Sequence, residues 1–121
     1  MIGYILMLVI LLIIGYIVLE RTYFHPLRMP VKRASELIAS GDINRVVDVR
    51  TKMEWDRGHL PSAIHLPMSK LTDENTRLHL DQADNILVYC NSGTRARQAA
   101  LRLKELGYPL VHYIAETYHE L

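Results

Sequence analysis

This chain is poor in the residues that mark several functional classes. Its 121 residues include one cysteine, Cys90, one tryptophan and one phenylalanine. A single cysteine forms no intramolecular disulfide and offers no cysteine pair to a zinc ion. The six histidines (His25, His59, His65, His79, His112 and His119) stand at no CxxC-like or HExxH-like spacing, so no metal site and no cofactor are expected. Neither sign of charge dominates: 14 Lys and Arg stand against 13 Asp and Glu. That balance excludes an electrostatic nucleic-acid binder, which shows a basic stripe. There is no internal repeat, and the length allows one domain.

Charge is wholly missing from residues 1–19, MIGYILMLVILLIIGYIVL. A helix of about 18 residues rises roughly 27 Å, near the thickness of a bilayer's hydrocarbon core. The stretch lacks the basic start and small-residue cleavage site of a signal peptide. A core helix apolar all round has no place in so small a domain. The expectation is a single transmembrane helix over 1–19, with Tyr4, Tyr16, Tyr23 and Phe24 as interfacial aromatics and the lipid bilayer as a partner. Arg21, Arg28, Lys32 and Arg33 follow the span, and the positive-inside rule then puts the bulk of the chain in the cytoplasm. A lone reduced thiol suits that compartment. Residues 20–33, with Pro26 and Pro30, read as a membrane-proximal linker, and 34–121 as the globular domain.

In that domain, periodic signals alternate. Ser35 is placed to cap a short helix, SELIAS, that stops at Gly41. RVVDV (45–49) reads as a buried strand, and Thr51 and Glu54 have capping-box spacing for a helix from Lys52 to about Arg57, closed by Gly58. AIHL (63–66) reads as a short strand, 69–80 as one helix, and ILVY (86–89) as a second buried strand. Ala96, Ala99, Ala100, Leu103 and Leu106 have helical spacing over Arg95–Leu106, with Gly107 as terminator, and LVHYI (110–114) closes as a strand. Strands alternating with helices imply an α/β domain: an open, mostly parallel sheet flanked by helices, preceded by the transmembrane helix.

Cys90 stands where strand 86–89 gives way to a helix, at the sheet edge where ligands of open α/β folds bind. Helix-initial N–H groups have no internal partner and carry partial positive charge. Gly93 lets the loop Cys90-Asn91-Ser92-Gly93-Thr94-Arg95 curl so that several N–H groups converge on one anion. A cysteine facing them is held as thiolate. A free cysteine is otherwise a small buried hydrophobe; here the glycine, the arginine and the helix start tip the reading to a nucleophile. The spacing C-x4-R is one residue shorter than the C-x5-R ring that cradles a phosphate, and suits a smaller group such as a single sulfur atom.

Two stretches carry a resemblance to the rhodanese (sulfurtransferase) family. CNSGTR matches that family's six-residue active-site loop. DVRTKMEWDRGHLPSAIHLP (48–67) looks like its D-V-R-x-x-x-E-[YF]-x-x-G-H-I-P-G-A signature at Asp48, Val49, Arg50, Glu54, Gly58, His59, Pro61 and Ala63, with Trp55 in the aromatic position. Ser62 replaces a glycine, and Glu116, Thr117 and Leu121 stand where the family tends to have two glycines and a tryptophan, so the C-terminus and the far pocket wall are expected to be altered.

The resemblance implies a rhodanese-like fold and covalent sulfur transfer. The Cys90 thiolate takes the outer sulfur of thiosulfate, a polysulfide or a persulfide, and a thiol (a protein thiol included) or cyanide removes it. The loop N–H groups from about Asn91 to Arg95 would stabilise the persulfide, with Asn91, Ser92, Gly93, Thr94 and Arg95 binding substrate and Arg95 guiding an anionic donor. Asp48 and Arg50 are read as supporting the loop or touching substrate, Glu54 as a helix cap, His59 as structural and Trp55 as core. Two other functions compete: a tethered rhodanese-like binding module without turnover, and a small cysteine phosphatase or arsenate reductase.

Overall fold

In the computed structural model, residues 1–22 and 25–121 are described, without the Thr22 side chain; the expected interfacial Tyr23 and Phe24 lie outside the described residues. The first element is a helix, α1 (Ile2–Thr22). None of its apolar window is buried against the rest of the chain, and its length and composition fit a membrane span or a signal sequence. Tyr4 and Tyr16 are both exposed on it.

The domain is a four-stranded, all-parallel sheet in the order β2-β1-β3-β4: β1 (Arg45–Asp48), β2 (Ile64–His65), β3 (Ile86–Tyr89) and β4 (Val111–Tyr113). The central pair is buried on both faces, as parallel strands require, and runs in register with Val46 beside Leu87 and Val47 beside Val88. Alternation divides the core. Val47, Ile86, Val88 and Cys90 join Val111 and Tyr113 on one face, against Ala96, Ala99, Ala100 and Leu103 of α5 (Thr94–Glu105). Val46, Leu87 and Tyr89 join Ile114 on the other, against Ala34 of α2 (Val31–Ser40). The alanine stripe lets α5 lie close on the sheet.

Three expectations need correction. Residues 20–33 are not a linker throughout, because Leu27 and Met29 are buried and pair with β4: the Met29 N–H donates to the Tyr113 carbonyl (2.8 Å), and the Tyr113 N–H to that of Leu27 (3.0 Å). This covers an otherwise open sheet edge. The first domain helix begins at Val31 behind Pro30, without a capping side chain, so Ser35 lies inside it; Gly41 closes it at φ +83°. The helix expected over 69–80 is broken into a 3₁₀ turn at Met68–Lys70 and α4 (Asp73–His79), because Thr72 caps the latter by accepting from the Asn75 N–H. The remaining helices and strands of the domain lie within one or two residues of the sequence reading, α1 runs three residues past the expected span, and a 3₁₀ turn at Tyr118–Glu120 is not among the expected elements.

Candidate active site

The site is built where β1 and β3 end. Thr51 and Glu54 form the capping box of α3 (Lys52–Arg57): the Thr51 hydroxyl accepts from the Glu54 N–H (3.3 Å), and Glu54 Oε1 accepts from the Thr51 N–H (3.2 Å). Glu54 has a second occupation that local sequence did not announce. Its carboxylate receives both terminal nitrogens of Arg95, at 2.6 and 2.9 Å, and the side-chain amide of Asn91. Arg95 is therefore held in a bidentate pair rather than projecting freely toward a donor. The Arg95 guanidinium, first among the causes, holds the Glu54 carboxyl well below the usual carboxylate range, and Glu54 in turn raises Arg95.

Cys90 follows β3 and is fully buried. Its Sγ is not lost in hydrocarbon, because the Gly93 N–H points at it from 3.1 Å and the Ala96 N–H from 3.3 Å. Among the described residues, the amides that reach sulfur are thus these two. Ala96 lies one residue beyond the expected span, already in the first turn of α5. Gly93 is required twice over. Its φ is +90°, and a Cβ there would lie 2.7 Å from the Cα of Ala115. The C-terminal segment therefore presses on the loop. Asn91, Ser92 and Thr94 are exposed on its outside.

Asp48 and Arg50 form a buried pair: Arg50 Nε lies 3.1 and 3.0 Å from the two Asp48 oxygens, and a terminal nitrogen lies 2.8 Å away. Among the described residues, their side-chain hydrogen bonds run to each other, to the Arg50 N–H, to the Gly58 carbonyl and to Tyr89, not to residues 91–95. Burial opposes the Arg50 charge, yet Asp48 outweighs it and the net shift is upward. Burial, then the bond to Asp48, pushes the Tyr89 phenol well above its usual range; its oxygen accepts from the Leu60 N–H at 3.1 Å. The pair reaches the loop indirectly, by fixing the Gly58 end of α3, the helix that presents Glu54.

The C-terminal tail fills this side. The Tyr118 ring packs under the Arg50 guanidinium (4.9 Å) and beside Tyr89 (5.6 Å). Its hydroxyl occupies the space a Cβ on Gly58 would enter. No spacing in the sequence signals that contact. His59 Nδ1 lies 2.9 Å from the Trp55 carbonyl. Trp55 is not core: it is half-buried, stacked between His59 and His65, because it walls a groove.

That groove, about 690 Å³, is lined by Val49, Trp55, His65 and Met68 with Lys70 and Arg95. A smaller cleft flanks the loop at Ser92, Gly93 and Thr94. Cys90, fully buried, lines neither. Among the described residues, no cluster of His, Cys, Asp or Glu is fit to hold a metal ion.

Comparisons with known proteins agree with this geometry. The rhodanese-like domain family matches residues 30–120. A curated relative, thiosulfate sulfurtransferase 16 (chloroplastic) of Arabidopsis thaliana, is 36% identical over 103 residues, covering 77% of this chain and 84% of its own. The solved human single-domain sulfurtransferase TSTD1 superposes with a TM-score of 0.67 at 26% identity, over 78% of this chain and 93% of that one. A rhodanese with anions from E. coli superposes at 0.55 and 28% identity, over 64% and 89%.

Proposed function

The chain belongs to the rhodanese-like family, and on that premise we propose that it is a membrane-anchored sulfurtransferase that carries sulfur on Cys90. The observation that carries this reading is the pair of backbone N–H groups, Gly93 and Ala96, aimed at one buried sulfur. Amide donors fixed before reaction stabilise negative charge without reorganising. They favour a thiolate before transfer and a persulfide anion after it.

In the first half-reaction Cys90 Sγ attacks the outer sulfur of thiosulfate. A bond forms between the two sulfurs, the bond to the sulfite sulfur breaks, and sulfite leaves with the electron pair. In the second, cyanide or a thiolate takes the terminal sulfur and the Cys90 thiolate returns. A polysulfide or low-molecular-weight persulfide serves as donor by the same exchange, and a protein thiol as acceptor. Asn91, Ser92, Gly93, Thr94 and Arg95 form the wall over the sulfur, Asp48 and Arg50 the support beneath α3. The donor enters from the larger groove, where Arg95 and Lys70 supply positive charge. Because Glu54 already engages Arg95, the arginine's main task is to hold the loop, and attraction of a dianion is secondary.

The span α1 anchors the domain in the bilayer, and the basic residues after it place the domain on the cytoplasmic side. The test is turnover of the full chain in detergent or vesicles. Thiocyanate should form from thiosulfate and cyanide with the native chain and not with Cys90→Ser. Absence of turnover with thiosulfate, polysulfide and persulfide alike leaves the tethered binding module. Phosphate release from an aryl phosphate identifies a phosphatase.

A further inference from the structure

The apolar helix and the catalytic loop meet at one arginine. Arg97, in the first turn of α5, donates from its guanidinium to the Arg21 carbonyl, 2.9 Å away in the last turn of α1. The last carbonyls of a helix have no intrahelical partner and carry partial negative charge, so a guanidinium is a fitting cap. The contact brings the outer flank of the loop to the level where the apolar stretch ends. At that point lies the smaller cleft, about 280 Å³, lined by Arg28, Arg97, Ser92, Gly93, Thr94 and Tyr113. Arg28 reaches it from the edge segment and stands 3.4 Å from the Glu116 carboxylate. Two guanidinium groups and the hydroxyls of Ser92, Thr94 and Tyr113 line the cleft, and the carboxylate beside it, Glu116, offsets one of the two positive charges, which leaves the cleft cationic. His25 stands edge-on against the cleft's Tyr113 ring, and burial, then the Arg97 charge, lowers its pKa.

We propose that this cleft binds the phosphate of an anionic lipid headgroup and so seats the domain on the bilayer, with the outer flank of the catalytic loop against the membrane. The inference rests on the anchoring of α1 proposed above. A cleft one hydrogen bond away from the end of an apolar span lies at headgroup depth, where anionic lipids rather than free ions dominate the negative charge. The donor groove shares no lining residue with the cleft, so a seated domain keeps that groove open.

The test is hydrogen exchange of the full chain in vesicles of phosphatidylcholine alone and of phosphatidylcholine with phosphatidylglycerol. With the anionic lipid, exchange at residues 92–97 should slow by roughly fivefold for each arginine engaged. Arg28→Gln with Arg97→Gln should remove that slowing, and Arg97→Lys should keep most of it. Protection of α1 amides and co-flotation with both vesicle types report anchoring separately, so their loss overturns the anchor and the seat together. Anchored protein that exchanges equally in the two bilayers overturns the seat alone. Equal protection by inorganic phosphate in neutral vesicles assigns the cleft to a free ion and overturns the lipid.

Discussion

Strands β1 and β3 run side by side in register and end at the same edge, yet they end in opposite kinds of chemistry. After β1, the buried charge of Asp48 is met by the opposite charge of Arg50, locked at both carboxylate oxygens and braced by Gly58 and Tyr89. After β3, the buried sulfur of Cys90 accepts from two backbone amides, with the Arg95 charge near enough to act on it. Alternation sends the two to opposite faces of the sheet: Tyr89, which bonds Asp48, packs toward α2, and Cys90 toward α5. A charge locked in a direct salt bridge is bound in place, whereas a sulfur whose hydrogen bonds come from backbone amides keeps its valence for a second sulfur. Glu54 joins the two ends, since it caps the helix that Arg50 braces and grips Asn91 and Arg95 of the loop.

The largest expected effect breaks the first end. Arg50→Met leaves Asp48 buried and unpaired and should cost about 3–5 kcal/mol in denaturant unfolding, while removal of both charges by Asp48→Leu with Arg50→Met recovers part of it. Gly93→Ala breaks the second end. Positive φ and the collision with Ala115 should together cost about 2–3 kcal/mol and abolish sulfur loading. Gly41→Ala sharpens the point, because φ is +83° there with nothing within 4 Å, and the loss should be only about 1 kcal/mol.

Glu54→Gln cuts the link between the ends. Its carboxyl is held low in the folded state, so its contribution is complete above the unfolded value of roughly 4.3 and fades as pH falls through the folded value. The partners are a quarter to a third exposed, so the loss at neutral pH should be about 1 kcal/mol. The gap between native chain and variant should narrow on acidification below about pH 4. Lys52→Ala, which removes a solvent-exposed pair with Asp56 on the same helix, should stay within about 0.5 kcal/mol.

Much of this arrangement is legible in the chain because its causes are local. The β-branched runs of β1 and β3, the Thr51–Glu54 box and the alanine stripe of α5 each sit within a dozen residues, and each forms as its pattern dictates. The C-x4-R spacing marks the loop on the same terms. What escapes is long-range. Glu54 meets Asn91 and Arg95 at separations of 37 and 41 residues, and its capping role leaves no residual signal that a second partner exists. Leu27 and Met29 gain a partner only once β4 is laid down as the edge, and Tyr118 fits under Arg50 only in three dimensions. Trp55 misleads for the opposite reason: its size suggests core, but the turn at Gly58 stacks His59 on it and leaves it walling a groove.

The central claim is that two amides prepare one buried sulfur to carry another. The most direct measurement is the intact mass of the full chain after a single turnover with thiosulfate and no acceptor. A gain of one sulfur atom, absent in Cys90→Ser and reversed by cyanide, is the predicted result. An unchanged mass with thiosulfate, polysulfide and persulfide donors would contradict it.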